Sequence, residues 1–450
     1  MKTLKPFSAV YLLNLKSFYL FLFISCLVTR ILTSIDYLED IDSMRFALSL
    51  FDYNISELRP HFPGYPIFCF FAKIIYSLIG SVQLTFSVIG GISTFIIIFY
   101  SNLIFEMIIK KRSLFLSALI FINPFLWNLG NRYMSDLLGL SFLIMSTYYL
   151  LSGFNLKQKE KLLFGILLIG FSTGIRISFL PFLLPLFLYI TYYSPKISFL
   201  NAIGVLTIGI LIWLIPLSVT TGLDNLISLS LRHISGHFFE WGGSVISSNS
   251  TYAFRLLKTF ESIWADGMGG FWLGRNKVTI IVSLGWILSF IFNYKLKSIL
   301  KEKSQLTLFL LFVSIFFYFV WIFLFQNVIY KPRHIIPILP FVSMISSTGL
   351  ILLTRSNNIL KLVPLNFLCV LAFVTSYLNW QHQFPSAISQ AKTYVINDES
   401  SSKVFVSSSL INSYMKKHNG SEDIIFSNHR NINSIKKYYD LGYSIYSTIG

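Results

Sequence analysis

Four carboxylates fall within seven residues at Asp36-Tyr-Leu-Glu39-Asp40-Ile-Asp42, directly after an apolar run. Carboxylates this close repel one another, so each must take up a proton, find a cation or share a metal. Such a cluster suits a general base, and it also suits a divalent ion held against a phosphate. Capping is the competing reading for each residue singly. Met44, Ala47, Leu48 and Phe51 follow helical spacing, and Asp42 could cap that helix, since Asp is a favoured N-cap. For the cluster as a group, function is the better account. Further on, Pro60-His61-Phe62-Pro63-Gly64-Tyr65-Pro66 makes a stiff bend. It either holds His61 over a site or simply turns the chain.

Four other places carry candidate chemistry. Asp136 follows Asn131-Arg132-Tyr133-Met134-Ser135 and lies just inside a predicted helix start. The helix dipole favours a carboxylate there, or Asp136 faces Asp40 and Asp42 across the bundle. Arg176, at a sharp turn in Gly174-Ile-Arg176-Ile-Ser178, is either a phosphate clamp or an arginine snorkelling to headgroups. Lys331-Pro332-Arg333-His334 is a basic turn suited to a lipid phosphate, with plain headgroup contact as the alternative. The stretch with His233, His237, Glu240, Trp241, Trp264, Asp266 and Trp272 could stack on a sugar, but an interfacial aromatic belt is the leading account. Asp36, Arg45, His61, Tyr65, Arg132, Arg176, Lys331, Arg333 and His334 are the binding candidates. Glu39, Asp40, Asp42 and Asp136 are the catalytic ones. Whether a divalent metal takes part is left open; Asp40, Asp42 and Asp136 would hold it.

These residues must be positioned by a membrane-embedded scaffold. Of 450 residues, 54% are hydrophobic and 12% charged, against about 25% charged in soluble chains. Residues 199–221 and 335–353 hold no ionisable side chain, and about 17–25 apolar residues span the hydrocarbon core. The net charge of +17 is no sign of nucleic acid, because Lys and Arg collect in short loops between apolar segments, as in the positive-inside pattern. Cys26, Cys69 and Cys369 lie in apolar stretches without disulfide or metal spacing.

Apolar segments fall at 17–35, 65–80, 82–109, 114–128, 133–153, 162–175, 177–193, 199–221, 278–293, 305–326, 335–353 and 361–379. Basic marks at Lys2, Lys5 and Lys16, at Lys110, Lys111 and Arg112, at Lys157, Lys159 and Lys161, and at Lys295, Lys297, Lys301 and Lys303 belong inside. They share one side if 65–80, with Lys73 at its middle, lies along the outer face as an interfacial helix. The expectation is an all-α polytopic membrane helix bundle of about 11 transmembrane helices over 1–379. Its first outer loop is 36–81 and its long outer loop 222–277. The N-terminus is cytoplasmic, and the C-terminus and site are outside. Residues 380–450 read as a small α/β tail, with helices at 386–396, 409–417 and 432–440 and strands at 403–408, 423–427 and 443–448.

The acidic loop, then Asp42-Ser-x-x-Phe46-Ala47-Leu48, then Pro60-His61-x-Pro63-Gly64-Tyr65-Pro66, resembles the GT-C superfamily of membrane glycosyltransferases. Its protein O-mannosyltransferase-like and aminoarabinose-transferase-like branches look most similar. The likeness extends to Asn123-Pro124 before Asp136 and to the Pro332-Arg333-His334 turn. It implies a GT-C bundle, a polyprenyl-phosphate-linked sugar donor, and a glycan, lipid or protein acceptor on the outer face. It puts Asp42 or Asp40 at the catalytic acidic position and Asp136 at the second. It places Arg176 and the Lys331–His334 turn on the lipid phosphate, with inversion at the sugar. The motif Glu39-Asp40-Ile-Asp42 departs from the Asp-Glu pair of many members, which leaves open which carboxylate is the base.

Other readings are an outer-face glycan polymerase or ligase centred on His233 and His237, a lipid-glycan flippase or transporter, and a non-enzymatic scaffold. The transporter reading needs mid-membrane charges and inverted repeats, neither of which the sequence offers. A scaffold leaves the acidic cluster without a purpose. The sequons at Asn54, Asn249 and Asn419 do not choose between a bacterial inner membrane, the expectation here, and the endoplasmic reticulum.

Overall fold

A computed structural model describes residues 10–293, 302–356, 359–400, 402–416, 423–429 and 431–447. Lys2, Lys5, Lys295, Lys297, Lys301, the side chain of Lys303, the sequon at Asn419, and residues 417 and 448 of the expected tail elements lie outside the described residues.

The chain is a helix bundle with a small α/β tail. Seven helical runs among the described residues are long and apolar enough to cross a membrane, or eight if the bent pair Leu114–Phe121 and Pro124–Asn131 forms one span. That figure and the eleven crossings read from sequence differ at three elements. Val10–Leu32 is a 23-residue helix outside that count. Thr279–Ile291 has 13 residues. The third is the single run Lys159–Tyr193, which folds back on itself. Gly153 and Gly165 pack on Leu162 and Leu150, whereas Gly139 meets both Arg176 and Phe179, and Phe154 meets Tyr189. Helix Lys159–Arg176 therefore runs antiparallel to Asp136–Leu156, and Leu180–Tyr193 runs parallel to it. The chain leaves the helix at Arg176, with φ −156° and ψ 87°, so that residue stands at the turn.

The break in the bent pair has a local cause. Pro124 disfavours helix at Asn123, whose side chain then caps the next helix through Leu126 N (2.9 Å) and donates to the Gly267 carbonyl (2.8 Å). Close helix contacts rest on small residues, as expected where lipid supplies no hydrophobic drive between helices. A Cβ on Gly170 would strike the backbone of Leu206, and one on Gly209 the backbone of Leu167. Trp213 Nε1 then reaches the Gly170 carbonyl and Thr173, both at 3.1 Å.

Helix Pro66–Ile79 has 14 residues, about 21 Å at 1.5 Å per residue, too short for a hydrocarbon core of about 30 Å. It leaves the site at Tyr65, and the next helix starts at Val82 beside Gln83, which donates to Ser34 Oγ (2.8 Å). Both its ends lie at the site end of the bundle. The basic residues Lys110–Arg112 and Lys157–Lys161 lie at the far ends of their helices.

In the tail, strands Lys403–Ser407, Ile424–Asn428 and Ser444–Ser447 form a parallel sheet with the first strand central. Helices Ser409–Lys416 and Ile432–Asp440 make the crossovers that parallel pairing requires. The alternation read from sequence holds to within a residue or two. The tail does not stand apart: Val395, Phe405, Tyr414, Met415 and Ile424 share one apolar cluster with Tyr37, Met44, Phe46 and Tyr133 at the site end.

Candidate active site

The two aspartates closest in sequence have separate duties. Asp40 is the N-cap of helix Ile41–Ser49, its Oδ1 accepting from Ser43 N at 2.8 Å. Asp42 is not the cap; it lies in the first turn and points into a cavity of about 620 Å³. Its Oδ2 is 2.7 Å from Arg333 and 3.0 Å from Lys331, its Oδ1 is 3.1 Å from Arg45, and His61 Nδ1 stands 3.7 Å away. Burial works against a charge on Asp42. The His61 ring, Lys331 and Arg333 outweigh it and hold the carboxyl well below the usual range.

The stiff bend holds His61 at this wall. Gly64 has φ +84° and Tyr65 φ +46°, a conformation unusual for a non-glycine residue. A Cβ at Gly64 would meet Tyr53 Oη at 2.7 Å, so glycine is required there. His61 Nε2 pairs with Tyr65 Oη at 3.0 Å. Burial pushes His61 down to about 3, against the pull of Asp42, so the ring is neutral at neutral pH. Burial also raises the Tyr65 hydroxyl to about 12.

Lys331 and Arg333 come from the turn after helix Glu302–Phe325. Arg255, in the long loop, fixes that turn. Its Nη2 donates to the Gly243 (2.8 Å) and Gln326 carbonyls, and its Nε donates to Phe323. It thus satisfies carbonyls that the helix end leaves unpaired. Tyr318 Oη donates to the His334 carbonyl at 2.9 Å.

Of the candidates read from sequence, Asp42, Arg45, His61, Tyr65, Arg176, Lys331, Arg333 and His334 line the cavity. Glu39, Asp40, Asp36, Arg132 and Asp136 do not line it. Arg132 bridges Glu39 (2.6 Å) and Asp40 (2.7 Å), and Glu39 also pairs with His382 of the tail (2.7 Å). Asp40 too is held below its usual range: burial opposes this, but Arg132 and the Ser43 amide prevail. Asp136 is wholly buried against Arg176, 2.9 Å away, and its charge also acts on Arg333, the cation that reaches Asp42 and Asp40. Asp36 lies on the tail side, near Lys392 and Tyr414.

The long loop contributes more than an aromatic belt. His233, His237 and Trp241 line the same cavity, whereas Glu240, Trp264, Asp266 and Trp272 do not. The rings of His61, His233 and His237 stack in series, with centroids 6.3 and 6.1 Å apart. Burial pushes His233 down to about 4 and lowers His237 as well. The His233–His237 spacing of four residues puts both on one helical face, a signal legible in the sequence once that face is known to meet the site.

The residues do not fit a metal centre. No group of three or more His, Cys, Asp or Glu side chains among the described residues converges to hold an ion. The carboxylates meet Lys331, Arg333, Arg45, Arg132 and Arg176 instead, and an added dication would face those cations.

Besides the charged groups, the cavity lining includes the apolar side chains of Ile177, Leu180, Pro181, Ile234, Phe238 and Trp321. Six buried nitrogens of lining residues have no hydrogen-bond partner: His61 Nδ1, His334 Nδ1, Arg45 Nε, Arg176 Nε, Arg333 Nε and Trp321 Nε1. Buried polar atoms are ordinarily paired, so unmatched ones facing a cavity suit a polar ligand.

Comparison with known proteins bears on the fold. No family model matches the chain, and no curated protein matches it in sequence. It is similar in structure to ArnT, an aminoarabinose transferase, from Cupriavidus metallidurans. Against ArnT bound to undecaprenyl phosphate the TM-score is 0.59 at 9% identity, covering 98% of this chain and 90% of that one. Against the apo form it is 0.60 at 10% identity, covering 96% and 93%. The archaeal oligosaccharyltransferase AglB from Archaeoglobus fulgidus gives 0.45 at 12% identity, over 89% of this chain and 63% of that one. At these identities the likeness to ArnT is one of fold.

Proposed function

We propose that this chain is a glycosyltransferase that moves a sugar from a polyprenyl-phosphate-linked donor to an acceptor at the non-cytoplasmic face of the membrane, with Asp42 as the base. The observation that carries this is Asp42 bound by Lys331 and Arg333 in a cavity that apolar side chains also line. That pairing of features suits an amphiphile with an anionic head. ArnT, which shares the fold, is recorded with undecaprenyl phosphate. The basic marks at the far end of the bundle favour a non-cytoplasmic site under the positive-inside rule.

Asp42 in its resting pairing is a weak base. A donor phosphate between Lys331, Arg333 and Arg176 shares those cations, and the Asp42 carboxyl then rises towards its ordinary range. Basicity therefore arrives with the donor. The acceptor hydroxyl passes its proton to Asp42 while its oxygen bonds to the sugar's anomeric carbon. The bond from that carbon to the phosphate oxygen breaks on the opposite face, and the lipid phosphate leaves with its electron pair. The configuration inverts. No metal enters these steps.

The test is transfer of labelled sugar from hexosyl and pentosyl polyprenyl phosphates in membranes, comparing wild type with Asp42→Asn at matched expression. Loss of about 10²–10⁴ in rate is the expected result. Equal transfer would leave Asp42 a mere counter-ion. A glycan polymerase or ligase is the second reading, favoured by His233 and His237 on the same cavity. It requires activity from a lipid-diphosphate donor that falls in His237→Ala and not in Asp42→Asn.

A further inference from the structure

A second cavity of about 420 Å³ adjoins the first. Arg45, His61, Phe62, His233 and Trp241 form the wall common to both. The second cavity has none of Lys331, Arg333 or Arg176, and its own side is closed by the 55–58 turn, Leu229 and Arg232. We propose that this cavity is the acceptor subsite and that it takes an anionic glycan, a sugar ring carrying a carboxylate or a phosphate. The proposal rests on the glycosyltransferase reading and names its acceptor class.

Three observations carry it. The charged side chains of the lining are cations: Arg45 and Arg232 are there, and no Asp or Glu is among the lining residues. The nearest acids in the turn, Asp52 and Glu57, are already held by Arg59, both at 2.5 Å. Arg232 is exposed and has no carboxylate within ion-pair distance among the described residues. Second, the common wall is where unmatched polar atoms lie: Arg45 Nε and His61 Nδ1 are buried without partners. An acceptor oxygen placed there is next to Asp42, since both residues flank that carboxylate. Third, Trp241 is braced edge-on against His233, with centroids 5.1 Å apart, and stays more than half exposed. A braced, open indole is a stacking surface for the apolar face of a pyranose, and it favours a glycan over a peptide. The two cavities thus approach the same carboxylate from different sides, with the lipid-linked donor on the Lys331 side and the acceptor on the Arg232 side.

The experiment uses the full chain in membranes with a polyprenyl-phosphate-sugar donor and three acceptor disaccharides: a neutral one, one carrying a uronic acid and one carrying a phosphate monoester. The expected result is kcat/KM at least about tenfold higher for one or both acidic acceptors, carried by KM. The better of the two identifies the anion. Arg232→Glu lowers the acidic-over-neutral ratio by about tenfold or more, and Arg232→Lys restores most of it. Arg232 is at the surface, so loss of fold does not confound the ratio. Equal kcat/KM for all three acceptors, or a ratio untouched in Arg232→Glu, overturns the proposal while leaving donor transfer to stand. Failure to consume the donor with any acceptor overturns the glycosyltransferase reading, and this proposal falls with it.

Discussion

Asp40 and Asp42 are the same residue type, two positions apart at the start of one helix, and Arg333 reaches both, yet only Asp42 lines the cavity. Asp40 is the extended N-cap and Asp42 lies in the first helical turn, so the two side chains leave the backbone from different conformations. The rear face, with Glu39 and Asp40, is closed: cap amide, Arg132 and His382 consume it. The front face, with Asp42, is also neutralised, but by Lys331 and Arg333 beside an open cavity. The difference is one of place: Asp42, Lys331 and Arg333 line the cavity, whereas Asp40 lies outside its lining, held by the Ser43 amide and Arg132, with Arg333 farther off at 3.7 Å. An acidic cluster in sequence is thus two structures, one that fastens the loop and one that faces substrate.

The sharpest way to break that comparison is to neutralise each carboxylate in turn. Asp42→Asn should lower transfer by about 10²–10⁴ with the melting temperature little changed. Asp40→Asn should keep transfer within a few-fold, because Asn also caps helices well. Equal losses in the two variants would mean that the faces are not separate.

The Asp136–Arg176 pair extends the comparison to a deeper layer. Both side chains are almost fully buried, at 0% and 5% exposure, and Arg176 reaches the cavity from the turn that reverses the chain. Removing one member leaves the other charge buried, at a cost of about 3–5 kcal/mol. Asp136→Leu should therefore destabilise strongly in a detergent melt. The double variant Asp136→Leu/Arg176→Met should recover much of the stability and none of the donor binding. Recovery of both would remove Arg176 from the phosphate site.

Much of this was legible in the sequence, and the limit has a physical form. Hydropathy marked the apolar helices, Lys73 and the short length of 65–80 marked a helix that stays at the site end, and alternation marked the small α/β tail, though not that its strands run parallel. The types at Asp42, His61, Arg176, Lys331 and Arg333 are those that now surround one cavity. What sequence does not carry is which face of an element meets which partner. Lys331 and Arg333 stand 289 and 291 positions from Asp42, and His382 is 343 from Glu39. No local period encodes such contacts. For the same reason His233 and His237 read equally well as an interfacial belt, and Arg255 carried no signal at all, because its partners are backbone carbonyls.

Acid should separate the groups by pH. His61 is held neutral in the fold, down to about 3, while an unfolded histidine titrates near 6.5. Its contribution to stability is fully present above pH 6.5 and is lost as pH falls below it towards 3, because there the unfolded chain binds the extra proton. Asp42 and Asp40 are depressed in the fold, so their contribution holds above about pH 4 and is lost below it. Thermal stability in detergent should thus be flat above pH 7 and decline in two stages. His61→Phe should shrink the upper stage and leave the lower one, since His233 and His237, also held down by burial, supply the rest of the upper stage. An unchanged upper stage would place that titration elsewhere.

The smallest effect belongs to the seam between loop and tail. Glu39 pairs with His382, Tyr37 Oη donates to the His382 carbonyl at 2.5 Å, and Ser386 Oγ donates to the Leu38 carbonyl. The Glu39–Arg132 pair remains when His382 is lost. His382→Ala should therefore cost about 1 kcal/mol or less, the usual scale for a partly exposed ion pair. The tail also holds the loop through the shared apolar cluster of Phe405, Tyr414 and Met415, which the variant leaves intact. Transfer kinetics in His382→Ala should match wild type at saturating donor and acceptor. A fall in kcat with stability unchanged would show that the rear face does more than fasten the loop, and that the tail reaches the chemistry through Glu39.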